Sequence, residues 1–218
     1  MLKRIVFVLL LLHGVVFAQV RVITNDKGEL ITEFEYDHRQ PLRYKGSIFW
    51  KDTTQLGVFC IKGGDTLRKP VLLDLLNHSF LAEFGERFVP ISNTAITLGS
   101  HHFVHIKGYL YEYVSEGIVK VLARTSCKLA EYQDPITKTA VVRDNYRGDV
   151  VRSVEYFLEF PNHKIRGISF TTRSVSLALV GQYGAGLFPP IDETKIHITD
   201  LQGVLKLLNE LEKGGFLY

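Results

Sequence analysis

Apolar and polar positions alternate along most of this chain with a period of two, and the period changes near residue 170. Val20 to Thr24 and Glu29 to Tyr36 flank Asn25-Asp26-Lys27-Gly28, a turn composition, which predicts a hairpin. Gln55 to Ile61 and Thr66 to Leu73 flank Lys62-Gly63-Gly64-Asp65 in the same way. Further short runs follow at Ser79–Phe84, Phe88-Val89 and Ala95–Leu98. His102–Ile106 and Tyr109–Val114 are separated by Lys107-Gly108. The longest run, Ile118 to Tyr132, precedes a polar connection from Gln133 to Asp149; Val154–Phe160 and Ile165–Phe170 come after it. Short strands with Gly, Asn and Asp punctuation predict an antiparallel sheet, sandwich- or barrel-like.

The last fifth has a helical period. Leu201, Val204, Leu205, Leu208 and Leu211 form an apolar stripe at i, i+3, i+4, i+7 and i+10. Thr199 and Gln202 fit a capping box in front of it, and Gly214 supplies a stop. Thr172 to Val180 predicts a shorter helix, capped by Thr172 or Ser174, and Gln182 to Pro190 reads as a loop or a broken turn. The expected fold class is therefore mainly β (α+β), closed by one or two C-terminal helices within about 172–213.

The N-terminus changes the picture of where the chain acts. Lys3-Arg4, the apolar run Ile5–Leu12 and Val16-Phe17-Ala18 have the layout of a secretory signal peptide over residues 1–18. Cleavage before Gln19 leaves a single β-rich domain at 19–218. It also removes Lys3 and Arg4, leaving 24 basic against 23 acidic residues, net +1. Near-neutral charge gives nucleic-acid binding no support. No later stretch approaches the ~20 apolar residues of a spanning helix. The expected localisation is periplasmic or secreted in a bacterium, where a disulfide is allowed. Cys60 and Cys127 lie in apolar alternating runs; they are read either as buried thiols or as one inter-strand bridge.

Candidate chemistry is sparse. In His101-His102-Phe103-Val104-His105, His101 and His105 would suit a metal on a helix, but on a strand i and i+4 stand about 13 Å apart and His102 points to the other face, so no metal site is assigned. Gly181–Gly186 lacks the Lys-Ser or Lys-Thr of a phosphate loop. No Gly-x-Ser-x-Gly elbow, no His-Glu-x-x-His and no calcium loop occurs. A Cys127 nucleophile lacks the electropositive, open setting such a thiol needs. No catalytic residue and no cofactor is assigned. Tyr109, Tyr111 and Tyr113 alternate with Leu110, Glu112 and Val114 and would stand in a row on one sheet face. Such a row either packs across strands or binds an extended ligand, and it is the one positive binding-site candidate.

Three segments resemble a set of uncharacterised secreted proteins of Bacteroidota-type bacteria: Gly46-Ser47-Ile48-Phe49-Trp50 ahead of Leu67-Arg68; Tyr111–Val114 continuing through Glu116–Leu122; and Asp200-Leu201 through Leu207–Glu210. The glycine- and proline-bearing stretch before the last helix departs from that family's more charged pattern. The resemblance implies an exported β-rich domain with a helical C-terminal piece, and no activity.

The expectation is thus an exported envelope protein with a non-catalytic binding or structural role. Its partner would be an envelope component, a glycan or another protein. The alternative is a small exported hydrolase with dispersed residues, which requires two or more of His78, His101, His105, Glu112 and Asp149 to converge in a pocket. An outer-membrane barrel is disfavoured by the amphipathic helix so near the end of the chain.

Overall fold

The computed structural model describes residues 6–10, 18–25, 27–35, 41–60, 66–85, 87–91, 95–184 and 198–217, with backbone alone at 6–10, 18, 19 and 60. The chain is mainly β, with a large sheet that is not closed and two C-terminal helices. It divides into two compact units. The first comprises Met1–Leu110 and Thr125–Ser153, the second Tyr111–Arg124 and Val154–Tyr218. The single domain expected over 19–218 is therefore built as two interleaved units.

The first unit holds β1 (Val6–Leu10), β2 (Ala18–Thr24), β3 (Leu30–Glu35), β4 (Leu42–Lys45), β5 (Gln55–Cys60), β6 (Thr66–Asp74), β7 (Ser79–Phe84), β8 (Arg87–Ile91), β9 (Ala95–Leu98) and β10 (His101–Ile106). Their order is β10-β9-β5-β6-β7-β8-β1-β2-β3-β4, antiparallel throughout except for β8 against β1. The β2–β3 turn forms as its composition predicts. The Asn25 carboxamide oxygen accepts from the backbone N–H of Lys27 and of Glu29, and Gly28 takes φ +81. Residues 61–65, the expected turn between β5 and β6, lie outside the described residues.

Alternation in β6 and β7 feeds two separate cores. Leu72 and Leu81 join Val20, Phe34, Tyr44, Ile48 and Phe49. Val71, Leu73, Phe80 and Ala82 join Phe59, Ile96, Leu98 and Phe103. Both faces of these strands are covered, so Val71 to Asp74 are buried in succession. Gly57 on β5 serves the same packing: a Cβ there would come within 2.5 Å of Val71 Cγ2. Asp74 ends β6 as a buried carboxylate accepting from the N–H of Leu76 and Asn77 and from Asn77 Nδ2. Burial outweighs those bonds and holds it above its ordinary pKa.

Three strands carry the chain between units: β11 (Tyr109–Ser115), β12 (Lys120–Glu131) and β13 (Gly148–Glu159). On the first-unit part of β13, the Arg152 guanidinium donates to the carbonyls of Ser47 (3.0 Å) and Phe49 (2.6 Å), fastening the segment after β4. The polar connection at 133–147 is an ordered set of turns. Asp134 accepts from the N–H of Ile136 and Thr137, Val141 N–H donates to Tyr132, and Arg143 and Tyr146 exchange backbone bonds.

In the second unit β11 pairs with β12 (Glu112↔Ala123, Tyr113↔Leu122, then a bulge before Ser115↔Val121), β12 with β13, and β13 with β14 (Ile165–Ile168). Two helices cover one face, α1 (Thr172–Tyr183) and α2 (Leu201–Lys213). Val119, Val121, Leu158 and Phe160 from the strands pack against Val175, Leu179, Val204, Leu207, Leu208 and Leu211.

The helix ends differ from the sequence reading by one to three residues. The α1 cap is Thr171, whose Oγ1 accepts from Ser174 N–H, not Thr172 or Ser174, and the helix continues past Val180 to Tyr183. The α2 cap is Asp200, whose carboxylate accepts from Gly203 N–H at 2.8 Å, not Thr199; both residue types cap well, and only Asp200 has its oxygen on an orphan donor of the first turn. Gly214 remains right-handed (φ −76), and the left-handed residue is Gly215 (φ +71). Phe216 N–H reaches back to Leu211 and Gly215 N–H to Glu212, a Schellman closure. Leu207 is buried, whereas Leu205 is only half-buried, so the inward stripe is rotated from the predicted one.

Candidate functional site

The helix-free face of the second unit's sheet carries the chemistry. Side chains alternate across a strand, so with Val114, Val121 and Leu158 on the helix side, Tyr111, Tyr113, Leu122, Arg124, Glu155 and Phe157 take the other. Tyr111 and Phe157 meet edge to face with ring centroids 5.3 Å apart. The Arg124 guanidinium lies 4.9 Å from the Phe157 centroid and 5.9 Å from that of Tyr111. It donates two hydrogen bonds to Glu155 Oε2. Burial works against the guanidinium's charge, but the hydrogen bond from Arg124 and the negative charge of Glu155 outweigh it and hold Arg124 above its ordinary pKa. Lys120 Nζ stands 4.9 Å from the Tyr113 ring centroid. Burial, then the charge and approach of Glu159, push the Tyr113 phenol up.

Phe157 is paired in register with Gly167 on β14. A Cβ on Gly167 would meet the Phe157 ring at 3.6 Å, so the ring lies across the bare glycine. Beside this pair a groove of about 490 Å³ opens, lined by Arg124, Val154, Glu155, Tyr156, Phe157, Gly167, Ile168, Ser169, Phe170 and Ser174. Tyr156 and Phe170 stack at 4.7 Å along its wall. Its rim hydroxyls are engaged locally, Ser174 Oγ accepting from Ser169 N–H at 3.0 Å. Aromatic walls, one neutralised ion pair and no free nucleophile suit binding an apolar or planar group.

The three tyrosines differ in setting. Tyr109 is 44% exposed and belongs to the first unit, where it meets His78 edge to face at 5.2 Å. Tyr111 is 6% exposed, and Tyr113 is half-buried. Tyr111 and Tyr113 thus contribute to the second unit's aromatic face, on the side opposite Val114.

The remaining candidates are dispersed among unrelated partners. His101 meets Trp50 edge to face with ring centroids 4.8 Å apart, Thr97 Oγ1 lies 3.1 Å from His102 Nδ1, and His105 is exposed. Asp149 accepts from the Tyr132 hydroxyl at 2.8 Å. Among the described residues no group of three or more His, Cys, Asp or Glu side chains could hold a metal ion. Cys127 is a free thiol, its Sγ 3.9 Å from the Ile48 carbonyl oxygen; the Cys60 side chain lies outside the described residues. Burial, with the charge of Asp74 adding and that of Arg152 opposing, pushes the Cys127 thiol up to about 12, the reverse of what a nucleophile needs.

No family model, curated protein or solved structure matches this chain. The site therefore has to be read from its own residues. Sequence reasoning missed Arg124, Glu155, Phe157, Gly167 and Phe170, because each lies on a different run from the tyrosines. The available signal was charge of both signs, Arg124 and Glu155, inside strongly alternating strands.

Proposed function

We propose that this is an exported, non-catalytic binding protein of the bacterial envelope, akin to the uncharacterised secreted family that its three segments resemble, and that the second unit's aromatic groove is its binding surface. The single observation that carries the binding reading is that groove, with Phe157 laid across Gly167 beside the Arg124–Glu155 pair. Export rests on the leader-like residues 1–18, whose removal also takes away β1, the strand standing between β8 and β2 in the full-length chain, and the absence of a catalytic role rests on the high-lying Cys127 thiol and the scattered histidines. Two-sided burial of β6 and β7 favours sandwich-like over barrel-like packing in the first unit.

Two measurements test this reading. Intact-mass analysis of protein recovered from the periplasm or medium gives a chain starting at Gln19; a retained Met1 overturns export. Hydrogen–deuterium exchange of that mature protein, with and without detergent-solubilised envelope extract, shows protection concentrated in residues 154–170. Protection elsewhere, or none, overturns the assignment of the site.

A further inference from the structure

We infer that the groove takes an extended acidic peptide segment of a partner protein, which adds to the sheet as a strand along the free edge of β14. The inference rests on the binding reading above and names its occupant.

The edge follows from the hydrogen-bond register. Phe160 N–H donates to the Lys164 carbonyl at 3.0 Å, and the β13–β14 pairs continue that register through Leu158↔Arg166 to Tyr156↔Ile168. In an antiparallel ladder the bonded pairs alternate, so Arg166 and Ile168 bond inward to β13, while Ile165 and Gly167 turn their N–H and C=O outward. β14 is the last strand of the sheet order and has no strand partner on that side among the described residues. A strand added there satisfies the outward groups of Ile165 and Gly167 and places alternate side chains on each face. On the Gly167 side one apolar residue of the ligand meets the Phe157 ring and enters the groove.

Charge selects the ligand. Lys164, Arg166 and Arg173 lie on or just after the edge, and none is in an ion pair among the described residues; the Arg166 guanidinium rests against Gly181 of α1 and donates to its carbonyl at 3.5 Å, which leaves its charge unneutralised. The nearby Glu155 is taken by Arg124, and Glu159 is buried against His163. The edge therefore offers uncompensated positive charge to a strand that alternates acidic with apolar residues. The same charges would also serve to keep strands away, as basic residues on exposed edges do, and the experiment separates the two roles.

The test is fluorescence anisotropy of the mature protein with two labelled capped hexapeptides, one alternating glutamate with valine and phenylalanine, the other carrying lysine in place of glutamate. The glutamate peptide binds, at least about tenfold more tightly than its lysine counterpart, and weakens with added salt. N-methylating one alternate set of its amides abolishes binding, while methylating the other set is tolerated, which a groove lacking strand pairing would not produce. Arg166→Glu and, separately, Lys164→Glu each lower affinity by about tenfold or more. Equal binding of both peptides, equal tolerance of both methylation patterns, or protein that pairs with a second copy of itself in sedimentation overturns the inference. If neither peptide binds while residues 154–170 remain protected by envelope extract, the peptide occupant is wrong and the binding reading stands. Loss of both results removes both.

Discussion

The two units use the same alternating strands to opposite ends. In the first, neighbouring residues of β7, Phe80 and Leu81, point to opposite faces and both are buried, in different cores. In the second, neighbours on β13 part company: Leu158 is fully buried under the helices, and Phe157 on the other face is only half-buried. A sheet covered on both faces devotes every side chain to packing. One whose second face is covered only in part, as here at Leu122 and Tyr111, keeps its open residues for other chemistry, and Phe157, Tyr113, Arg124 and Glu155 give those an aromatic character and charges of both signs.

Paired truncations test the contrast most strongly. Phe80→Ala and Leu81→Ala should each cost about 2–5 kcal/mol, since both leave cavities in closed cores. Leu158→Ala should cost the same, but Phe157→Ala only about 1–2 kcal/mol, from a part-exposed ring and its edge contact with Tyr111. Denaturant midpoints measure all four, and a Phe157 penalty equal to that of Leu158 would erase the distinction between the units.

Within the helix layer, Leu208→Ala should cost about 2–5 kcal/mol, and Leu205→Ala less than half as much, because Leu205 is only half-buried. Equal losses in thermal or chemical unfolding would mean that the stripe is oriented as its spacing alone predicts.

A smaller effect separates the units by pH. The Cys127 thiol lies at about 12 in the folded first unit against 9.0 for the ordinary group. An acid whose folded pKa is raised contributes stability that is intact below about pH 9 and is lost as the pH rises toward about 12. Cys127→Ala should therefore lessen the alkaline fall in melting temperature across that window. Alkylation of Cys127 by iodoacetamide at pH 8, at the rate of an unhindered cysteine, would contradict the shielding.

The smallest expected change is Glu155→Gln, which removes the partner of Arg124 from a half-exposed pair and should cost no more than about 1 kcal/mol. A larger loss, measured by urea titration at matched ionic strength, would make that pair part of the packed structure instead of the rim of a groove.

Much of the strand content was legible because turn chemistry marks it locally. Asn25 and Gly28 predict their own hairpin, and Lys107 and Gly108 both take positive φ between β10 and β11. The start of β13 was not legible. Gly148 to Ser153 contains Asp149 and Arg152, which look like loop residues until β4 and the Ser47 and Phe49 carbonyls supply partners far away in sequence. The candidate site was half legible. Tyr111 and Tyr113 stand on the face that alternation gives them, but the residues completing it come from β12, β13 and β14, and no local pattern reports which strands become neighbours. The caps were ambiguous for a different reason: Thr199 and Asp200 are both good caps one residue apart, and the choice between them is made by where the stripe must face.

The interleaving of the two units sets an order for synthesis. The first unit is incomplete until the chain has been made through Ser153, because its second segment begins at Thr125. Tyr111 to Arg124 belong to the other unit and emerge earlier, with neither helix yet available to cover Val119 and Val121. At about 5–20 residues per second, several more seconds pass before α2 is complete. During that interval the apolar side of β12 is bare. A nascent chain of this design therefore depends on whatever shields it until its last helix arrives.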